Sequence, residues 1–572
     1  MTSVALNAEI VSSIASFAYW GTNRPGVPLD LRAVLALALT CRAFLDPALD
    51  QLWRRQLTLF NLAKTLPSNA WEVYEDDKTK LDKTQRLIKT TRIIVPKDWT
   101  RFNYYAAKIK ELGYDPRAPF GTTELAPPTQ RTEGISLEFF TSMIIVRAPY
   151  ELVPHVRRLR WTAHESLLGI RPHVYTFLNA PLAALALEFP AHAEPPTQYY
   201  ADAVFVKWTL QAVAEQCLAV REVDLTWTQF EGYAGALSEF LRAVGPRLHA
   251  FVANVQAWKE EDLARLAGLP ELRRTRLYLE GTAFPWLVHA DALPPFSSLV
   301  DLTLDAPSLD HCTAFFRALG PCRLEKLSVN TGERPSTSMV QEFCTTLAAC
   351  CTSSALRALS LSDTGGDSAA TPARADCFIT NETLLPLTSF PGLRAFKLDL
   401  SGLCALDDLF PTKHLPAWPA LEALSLGATH GWGQRPALTF TGLAHIVQLC
   451  PMLEEVCVAI DASRDTVPPG AQPNERMVAI DLVDSYIPQS EAGAVALSRN
   501  LAELFPELEH ISAKIREVKE PGHTEAMQEG VSATTEGSGL ATKEFWREVE
   551  KQVATFVITV CPELRDVAQV TW

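Results

Sequence analysis

The sequence predicts an α/β solenoid, in which parallel strands alternate with helices, preceded by a small all-helical module. Two observations predict the solenoid: a short aliphatic pattern recurs through residues 151–572, and proline ends the helical stretch before several of its copies. A third observation predicts the module, because residues 1–60 lack this pattern and carry apolar side chains at helical spacing. The chain has 572 residues, of which 47% are hydrophobic and 21% charged, so it has ample material for a large core.

The repeated pattern is an aliphatic residue, two variable positions, a second aliphatic, one variable position and a third aliphatic. Ten steps over 297 residues give a mean spacing of about 30. Clear copies are VRRLRW at Val156, LAALAL at Leu182, VREVDL at Val220, LVDLTL at Leu299, LEKLSV at Leu324, LRALSL at Leu356, LRAFKL at Leu393, LEALSL at Leu421 and LEEVCV at Leu453. Weaker copies are LHAFVA at Leu248, LRRTRL at Leu272, LEHISA at Leu508 and LRDVAQ at Leu564.

Each copy indicates a strand, and the stretch before it indicates a helix. Examples of the proline lead-in are IVQLCPMLEEV from Ile446 and LTSFPGLRAF from Leu387. A strand-plus-helix unit of this size cannot bury its own apolar edge, so it must stack on its neighbours. The array resembles a leucine-rich repeat solenoid, which implies a horseshoe-like arrangement with parallel strands inside and helices outside. The alternative is a mixed α/β domain with coincidental leucines, and the last two gaps, of 55 and 56 residues, make the repeats after residue 460 less regular.

Residues 61–150 are interpreted as a linker and N-terminal capping region that contains the first repeat. Within it, TTRIIVPKDW from Thr90 to Trp99 predicts a first strand, followed by an amphipathic helix through Tyr104, Ile109 and Leu112.

Residues 1–60 predict three short helices. Ile10, Ile14 and Phe17 form an apolar stripe, LRAVLALALTCRAF follows from Leu31, and a third helix begins after Asp46-Pro47. Three short helices make a very small core, so such a module usually needs a partner surface. The alternative is that these helices only cap the first repeat of the solenoid.

The order of these segments resembles the F-box motif, with LTCRAFLDPALDQLW as its most specific part and Asn7 where the family usually has proline. The resemblance implies that the module binds the Skp adaptor, which is bridged to cullin and RING subunits of a ubiquitin ligase. The adaptor-binding residues that it implies are Leu6, Ile10, Ile14, Phe17, Leu35, Leu39, Phe44, Leu49, Leu52 and Trp53.

An F-box followed by leucine-rich repeats resembles the substrate receptors of Skp–cullin–F-box ubiquitin ligases, a type that is expanded in fungi. This implies a non-catalytic subunit whose repeats hold an unknown protein substrate for ubiquitination. The alternative is a repeat scaffold that binds a partner without any ligase.

The sequence carries no motif that points to chemistry. It has no phosphate-binding glycine loop, no HExxH, no paired CxxC and no GxSxG, so we predict no enzyme, no cofactor and no metal site. With 52 basic and 66 acidic residues the net charge is −14, which argues against a nucleic-acid partner. No apolar run reaches membrane-spanning length, and the twelve cysteines are scattered, so we expect no membrane contact and a cytoplasmic or nuclear location.

In a stacked array the variable positions of the strands line the concave surface, here called the variable face. We expect acidic and basic residues to form alternating bands there, suited to a protein partner with its own charge pattern. The group Arg274, Arg276 and Tyr278 is the sharpest hypothesis, and charge reversal there should abolish substrate capture. Fewer contacts are expected beyond Lys326, where the face becomes small and polar. The full set of candidate substrate-binding residues is Arg158, Arg160, Glu222, Asp224, Arg274, Arg276, Tyr278, Asp301 and Asp305.

Overall fold

The computed structural model describes residues 8–20, 31–76, 85–114, 133–147, 151–162, 174–179, 181–188, 197–226, 234–253, 259–287, 294–364, 378–463, 467–468, 470–486, 491–506, 508 and 510–512. The chain divides into two compact units, Met1–Leu272 and Arg273–Trp572. Leu6 and the repeat predicted at Leu564 lie outside the described residues. In the part of the chain that is described, no helix is both long and apolar enough to cross a membrane.

The first unit begins with three helices and continues as alternating strands and helices. Its elements are α1 (Ala8–Trp20), α2 (Leu31–Thr40), α3 (Arg42–Arg54), β1 (Arg55–Gln56), α4 (Phe60–Ala63), β2 (Trp71–Asp76), β3 (Gln85–Thr90), α5 (Trp99–Ala106), β4 (Glu111–Leu112), β5 (Glu133–Ile135), α6 (Leu137–Arg147), β6 (Arg158–Thr162), β7 (Ala184–Glu188), α7 (Thr197–Gln216), β8 (Glu222–Thr226), α8 (Ala234–Val244), β9 (Ala250–Ala253) and α9 (Glu260–Ala267).

A parallel sheet runs through the first unit in the order β1, β4, β6, β7, β8 and β9. An ion pair between two buried side chains, Arg55 Nε and Glu111 Oε2 at 3.0 Å, joins its first two strands. Gly113 follows β4 with φ +90°, and a Cβ there would lie 2.0 Å from the carbonyl oxygen of Arg160, so only glycine fits this turn. α7 packs on α8 and α8 on α9, so successive helices of this unit stack on one another.

The interpretation of Thr90–Trp99 as the first strand of the repeats is wrong. Thr90 is the last residue of β3, which pairs with β2 and β5 in a separate three-stranded sheet. Pro96–Asp98 form a short 3-10 turn leading into α5, because proline has no backbone N–H to give to a sheet. The strand of the main sheet in this region is β4, inside the segment predicted as helix.

The second unit repeats a strand and a helical segment. Its elements are β10 (Arg274–Tyr278), β11 (Asp301–Ala306), α10 (Leu309–Leu319), β12 (Lys326–Thr331), α11 (Thr337–Cys350), β13 (Ala358–Asp363), β14 (Phe378–Ile379), α12 (Asn381–Leu384), β15 (Ala395–Asp399), β16 (Leu403–Cys404), α13 (Leu409–His414), β17 (Ala423–Leu426), α14 (Phe440–Leu449), β18 (Glu455–Cys457), β19 (Ala479–Asp481), α15 (Glu491–Leu504) and β20 (His510–Ser512).

Its main sheet is parallel, in the order β10, β11, β12, β13, β15, β17, β18, β19 and β20, without a register shift from one strand to the next. β14 and β16 form a small parallel pair beside it. On the strands the burial alternates, as in β11, where Leu302, Leu304 and Ala306 are buried and the residues between them are partly exposed. The prediction of an α/β fold built from leucine-rich repeats is confirmed.

Every predicted copy among the described residues is a strand that begins two residues after the first aliphatic. Val156 precedes β6 and Leu453 precedes β18 in this way, and both are fully buried. Two further repeats went unrecognised. MVAIDL at Met477 forms β19 and IKELGY at Ile109 forms β4, with a methionine and a tyrosine at positions where the pattern has aliphatic residues. Met477 divides the gap of 55 residues, so this part of the array is more regular than predicted.

Candidate protein-binding surfaces

The helical module has a small core made of short side chains. Val34, Ala38 and Ala48 are its buried centre, with Leu31 and Leu52 packed against them. On α1 the buried residues are Val11 and Ala15. Such a core buries little apolar area, because the larger apolar side chains of α1 and α2 do not belong to it.

Those larger side chains are exposed. Ile10 is 53% exposed and Phe17 70% on α1, and Leu39 is 78% exposed on α2. An apolar surface of this kind is typical of a site that binds another protein. We call it the apolar surface of α1 and α2, and it consists of Ile10, Ile14, Phe17, Leu35 and Leu39.

The other predicted adaptor-binding residues have different surroundings. Phe44 and Leu49 are half-buried on α3, and Leu52 packs against the core of the module. Trp53 stacks on Tyr105 of α5, with ring centroids 4.4 Å apart. The structure therefore leaves five of the nine described candidates as a group on the surface and uses Leu52 and Trp53 in packing.

Helix α3 is attached to α5 by polar contacts as well. Tyr104 donates a hydrogen bond to Asp46, and Lys108 Nζ lies 2.6 Å from Asp50 Oδ1. The Tyr104 hydrogen bond is the largest influence on Asp46 and lowers the pKa of its carboxyl. These contacts to Tyr104, Tyr105 and Lys108 are made by α3, and the apolar surface of α1 and α2 takes no part in them.

On the variable face of the first unit, oppositely charged side chains neutralise one another. Arg158, Ala184 and Glu222 are in register on three successive strands, and Arg158 Nη2 lies 3.8 Å from Glu222 Oε2 across the small alanine. Arg160 and Asp224 flank Ala186 in the same way, and Arg160 is buried. The strand order places basic and acidic residues in alternation, and the pair of Arg158 and Glu222 stays partly exposed on this face.

The second unit has a polar ladder at the same place. Arg276 Nε and Nη2 donate to the two carboxylate oxygens of Asp305, at 2.5 and 2.9 Å. Asn330 Nδ2 then donates to Asp305 Oδ1 at 2.9 Å, and Ser362 Oγ donates to Asn330 Oδ1 at 2.7 Å. The carboxylate of Asp305 thus connects β10 with β12, and Arg276 has a structural partner within the chain.

The remaining candidates of this unit surround the ladder. Arg274, Asp301 and Lys326 are in register on β10, β11 and β12. Burial raises the pKa of Asp301, although Lys326 and Arg274 oppose the shift. Tyr278 is in register with Asp305 and is half-buried.

A depression of about 370 Å³ lies on the variable face beyond Lys326, where fewer contacts were expected. It exists because the small side chains of alanine and serine leave room above the strands. Sequence reasoning passed over Lys397 and Glu455, although both occupy variable positions of recognised copies, LRAFKL and LEEVCV. The lining residues are Lys326, Leu327, Ser328, Ala358, Leu359, Ser360, Ala395, Phe396, Lys397, Ala423, Ser425 and Glu455.

Buried aspartates connect the repeats where the strands end. Ser401 N and Oγ donate to Asp363 Oδ2 at 2.8 and 3.0 Å, and His430 Nε2 lies 3.4 Å from Asp363 Oδ1. Burial works against the charged form of Asp399, but hydrogen bonds from Thr429 and the backbone outweigh it and lower the pKa of that carboxyl. Aspartate side chains thus tie neighbouring repeats together at these strand ends.

These side chains do not form a catalytic triad. Ser401 Oγ donates to Asp363 and accepts from Arg334 Nε, whereas the serine of a Ser-His-Asp triad donates to its histidine. Among the described residues, no three His, Cys, Asp or Glu side chains are grouped so as to hold a metal ion.

Comparison with known proteins finds similarity in structure. No model of a known protein family matches the sequence, and no curated protein matches it. The crystal structure of the Rad7 and Elc1 complex in yeast is similar at 15% sequence identity and a TM-score of 0.35, covering 55% of this chain and 80% of that chain. The TLR13–ssRNA13 complex is similar at 12% identity and a TM-score of 0.33, covering 72% of this chain and 61% of that chain.

Proposed function

We propose that this chain is the substrate-recognition subunit of a Skp–cullin–F-box ubiquitin ligase. Helices α1–α3 bind the Skp adaptor, and the repeats bind the protein to be ubiquitinated. The observation that carries the proposal is the apolar surface of α1 and α2, in a segment whose order of motifs resembles the F-box. The chain itself catalyses nothing.

Burial of that surface supplies the binding energy. Each large apolar side chain that moves from water into an interface contributes about 1.5–3 kcal/mol. Association costs roughly 4–15 kcal/mol in lost freedom, so several such side chains must be buried together. The five residues of the apolar surface meet this need, and they come from two helices of one small module.

The alternative, in which the module only caps the solenoid, accounts less well for these residues. A cap turns its apolar side towards the repeats and a polar side towards water. Here α3 makes the contacts to α5, through Trp53 and Asp46, while the largest apolar side chains of α1 and α2 stay exposed. Capping therefore explains α3 and leaves the apolar surface without a role.

The repeats hold the substrate on their variable faces. The depression beyond Lys326 can receive a bulky side chain, and Lys326, Lys397 and Glu455 on its walls offer charges of both signs. Holding a protein there raises the effective concentration of its lysines near the charged ubiquitin enzyme that the cullin and RING subunits recruit.

Co-purification with the Skp adaptor tests the proposal. We expect the full chain to bind and Leu39→Asp to lose at least about 2 kcal/mol, a weakening of roughly 30-fold. Leu218→Asp is the matched control, because Leu218 is also exposed but lies between α7 and β8. Trp53 is unsuitable, since its loss would also disturb packing on Tyr105.

The result has two clear readings. If Leu39→Asp stays folded and loses the adaptor while Leu218→Asp keeps it, the ligase proposal stands. If the unmodified chain never binds the adaptor, the proposal is wrong, and the protein is a repeat scaffold outside any ligase.

A further inference from the structure

Two cysteines from neighbouring repeats lie side by side in the second unit. Cys322 precedes β12 and Cys351 follows α11, and their sulfur atoms are 3.3 Å apart. Two backbone hydrogen bonds of 2.9 Å hold them there: Cys322 N donates to Cys350 O, and Thr352 N donates to Cys322 O. We propose that Cys322 and Cys351 are a peroxide-sensitive dithiol that closes into a disulfide between repeats. This inference does not depend on the proposed ligase function.

The backbone already has the geometry that a disulfide needs. Cys322 and Cys351 form a parallel β-bridge. Strands paired in this way lie about 4.8 Å apart, inside the range of roughly 4.4–6.8 Å between the Cα atoms of disulfides. The sulfurs must approach from 3.3 Å to about 2.05 Å, which side-chain rotation provides without breaking the backbone pairing.

The pair also differs chemically from the other described cysteines. The hydrogen-bond contact with the sulfur of Cys351 lowers the pKa of Cys322 despite its burial. By contrast, burial raises the pKa of Cys312 and of Cys344 to about 12. Because the thiolate is the reactive form, Cys322, which is only half-buried, is the nucleophile, and Cys351 is the resolving thiol.

The reaction balances with a peroxide as oxidant. The Cys322 thiolate attacks one oxygen of hydrogen peroxide, the O–O bond breaks, and the departing hydroxide takes a proton to become water. Cys351 then attacks the sulfur of the resulting sulfenic acid, whose oxygen leaves as a second water. Two thiols lose two electrons and two protons, and one peroxide becomes two waters.

The bond would restrain the wall of the depression. Cys322 lies shortly before β12, and Cys351 directly follows α11, the helix that precedes β13. Both strands line the depression, through Lys326 and Ala358. The disulfide would close a loop that contains β12 and α11. It therefore lowers the conformational entropy of the unfolded chain and stabilises this pair of repeats.

Peptide mapping of the full chain after hydrogen peroxide treatment tests the proposal. Trypsin places Cys322 on residues 318–323 and Cys351 on residues 327–357, which also hold Cys344 and Cys350. We expect the two peptides to be linked, two hydrogens lighter than their sum, and to separate on reduction with dithiothreitol. Cys322→Ser and Cys351→Ser should each abolish the link, and the matched control Cys350→Ser should keep it.

Thermal unfolding gives a second readout that does not rely on the variants. Oxidation should raise the Tm of the unmodified chain, and dithiothreitol should reverse the rise. Two results would overturn the proposal. One is a link from Cys322 to Cys350 or Cys344. The other is the absence of any link at a peroxide concentration that oxidises the exposed Cys41.

Discussion

The polar ladder at Asp305 predicts a local loss of stability when its carboxylate is removed. Asp305→Ala leaves Arg276 and Asn330 without the acceptor of three hydrogen bonds. The Arg276 side chain is 34% exposed, so water and screening reduce the loss of its ion pair to about 1 kcal/mol. The orphaned Asn330 donor adds about 1 kcal/mol, for a total near 2 kcal/mol, which corresponds to roughly 30-fold easier local opening.

Hydrogen exchange with mass spectrometry measures this change strand by strand, which suits a chain of two compact units. We expect amides of β11 and β12 to exchange about 30-fold faster in Asp305→Ala. Those of β17, which is four strands from β11 in the sheet, should stay unchanged. Asp310→Ala removes an exposed carboxylate of the same unit and should have little effect. The reasoning is refuted if β11 exchanges within threefold of the unmodified chain, or if β17 accelerates equally.

Two further predictions concern stability. Burial lowers the pKa of His414 below 6.5, so as the pH falls, the imidazole binds a proton more readily in the unfolded chain than in the folded chain. The Tm should therefore fall as the pH drops below about 6.5. The lowered pKa of Asp399 should cause a second drop in the Tm as the pH falls below about 3.8. His414→Gln should remove the drop that begins near pH 6.5 and leave the drop near pH 3.8. A Tm profile unchanged by this variant would contradict the assignment to His414. Trp418 is fully buried and donates from Nε1 to Leu387 O, so Trp418→Ala should cost about 3–5 kcal/mol. Urea unfolding would show this as a lower midpoint, and an unchanged midpoint would mean that the site collapses around the smaller side chain.

Much of the fold is predictable from the sequence, because a buried parallel strand requires aliphatic side chains at fixed positions. The pattern located most of the strands, and it failed where another residue type filled the same space. Met477 is fully buried at the first position of the copy that contains β19, and a flexible thioether occupies that position as well as leucine does. β4 was hidden because the copy that contains it, IKELGY, has Tyr114 at its third aliphatic position.

The site is less predictable. Helical spacing shows which apolar side chains share a face of a helix, but it does not show which face packs against the rest of the module. On α1 the smaller Val11 and Ala15 are buried, whereas the larger Ile10, Ile14 and Phe17 are exposed. Transfer energies alone would place the larger side chains inside. The close packing of three short helices selects small residues for the core, and this selection depends on neighbours that no single helix reveals.

Charges on the variable face depend on register in the same way. The sequence places Arg276 and Asp305 on different repeats, and each alone looks like a residue that could bind a partner. In the folded sheet, side chains on adjacent strands that are directly opposite or diagonal come within reach of one another. Arg276 is opposite Thr303 and diagonal to Asp305, so the two charges pair within the chain. A charge reversal at Arg276 would therefore change stability as well as recognition, and Tyr278 is the cleaner position for testing substrate capture.

Under the proposed function, the connection between the adaptor-binding helices and the repeats matters as much as either surface. A receptor that works by proximity raises effective concentration only if its connection holds the substrate within reach. Helix α3 ends at Arg54 and β1 begins at the next residue, so no linker separates the module from the first strand. The buried pair of Arg55 and Glu111 and the stacking of Trp53 on Tyr105 fix this junction further. Under the proposed function, this junction would hold the repeats of the first unit in a fixed position next to the bound adaptor.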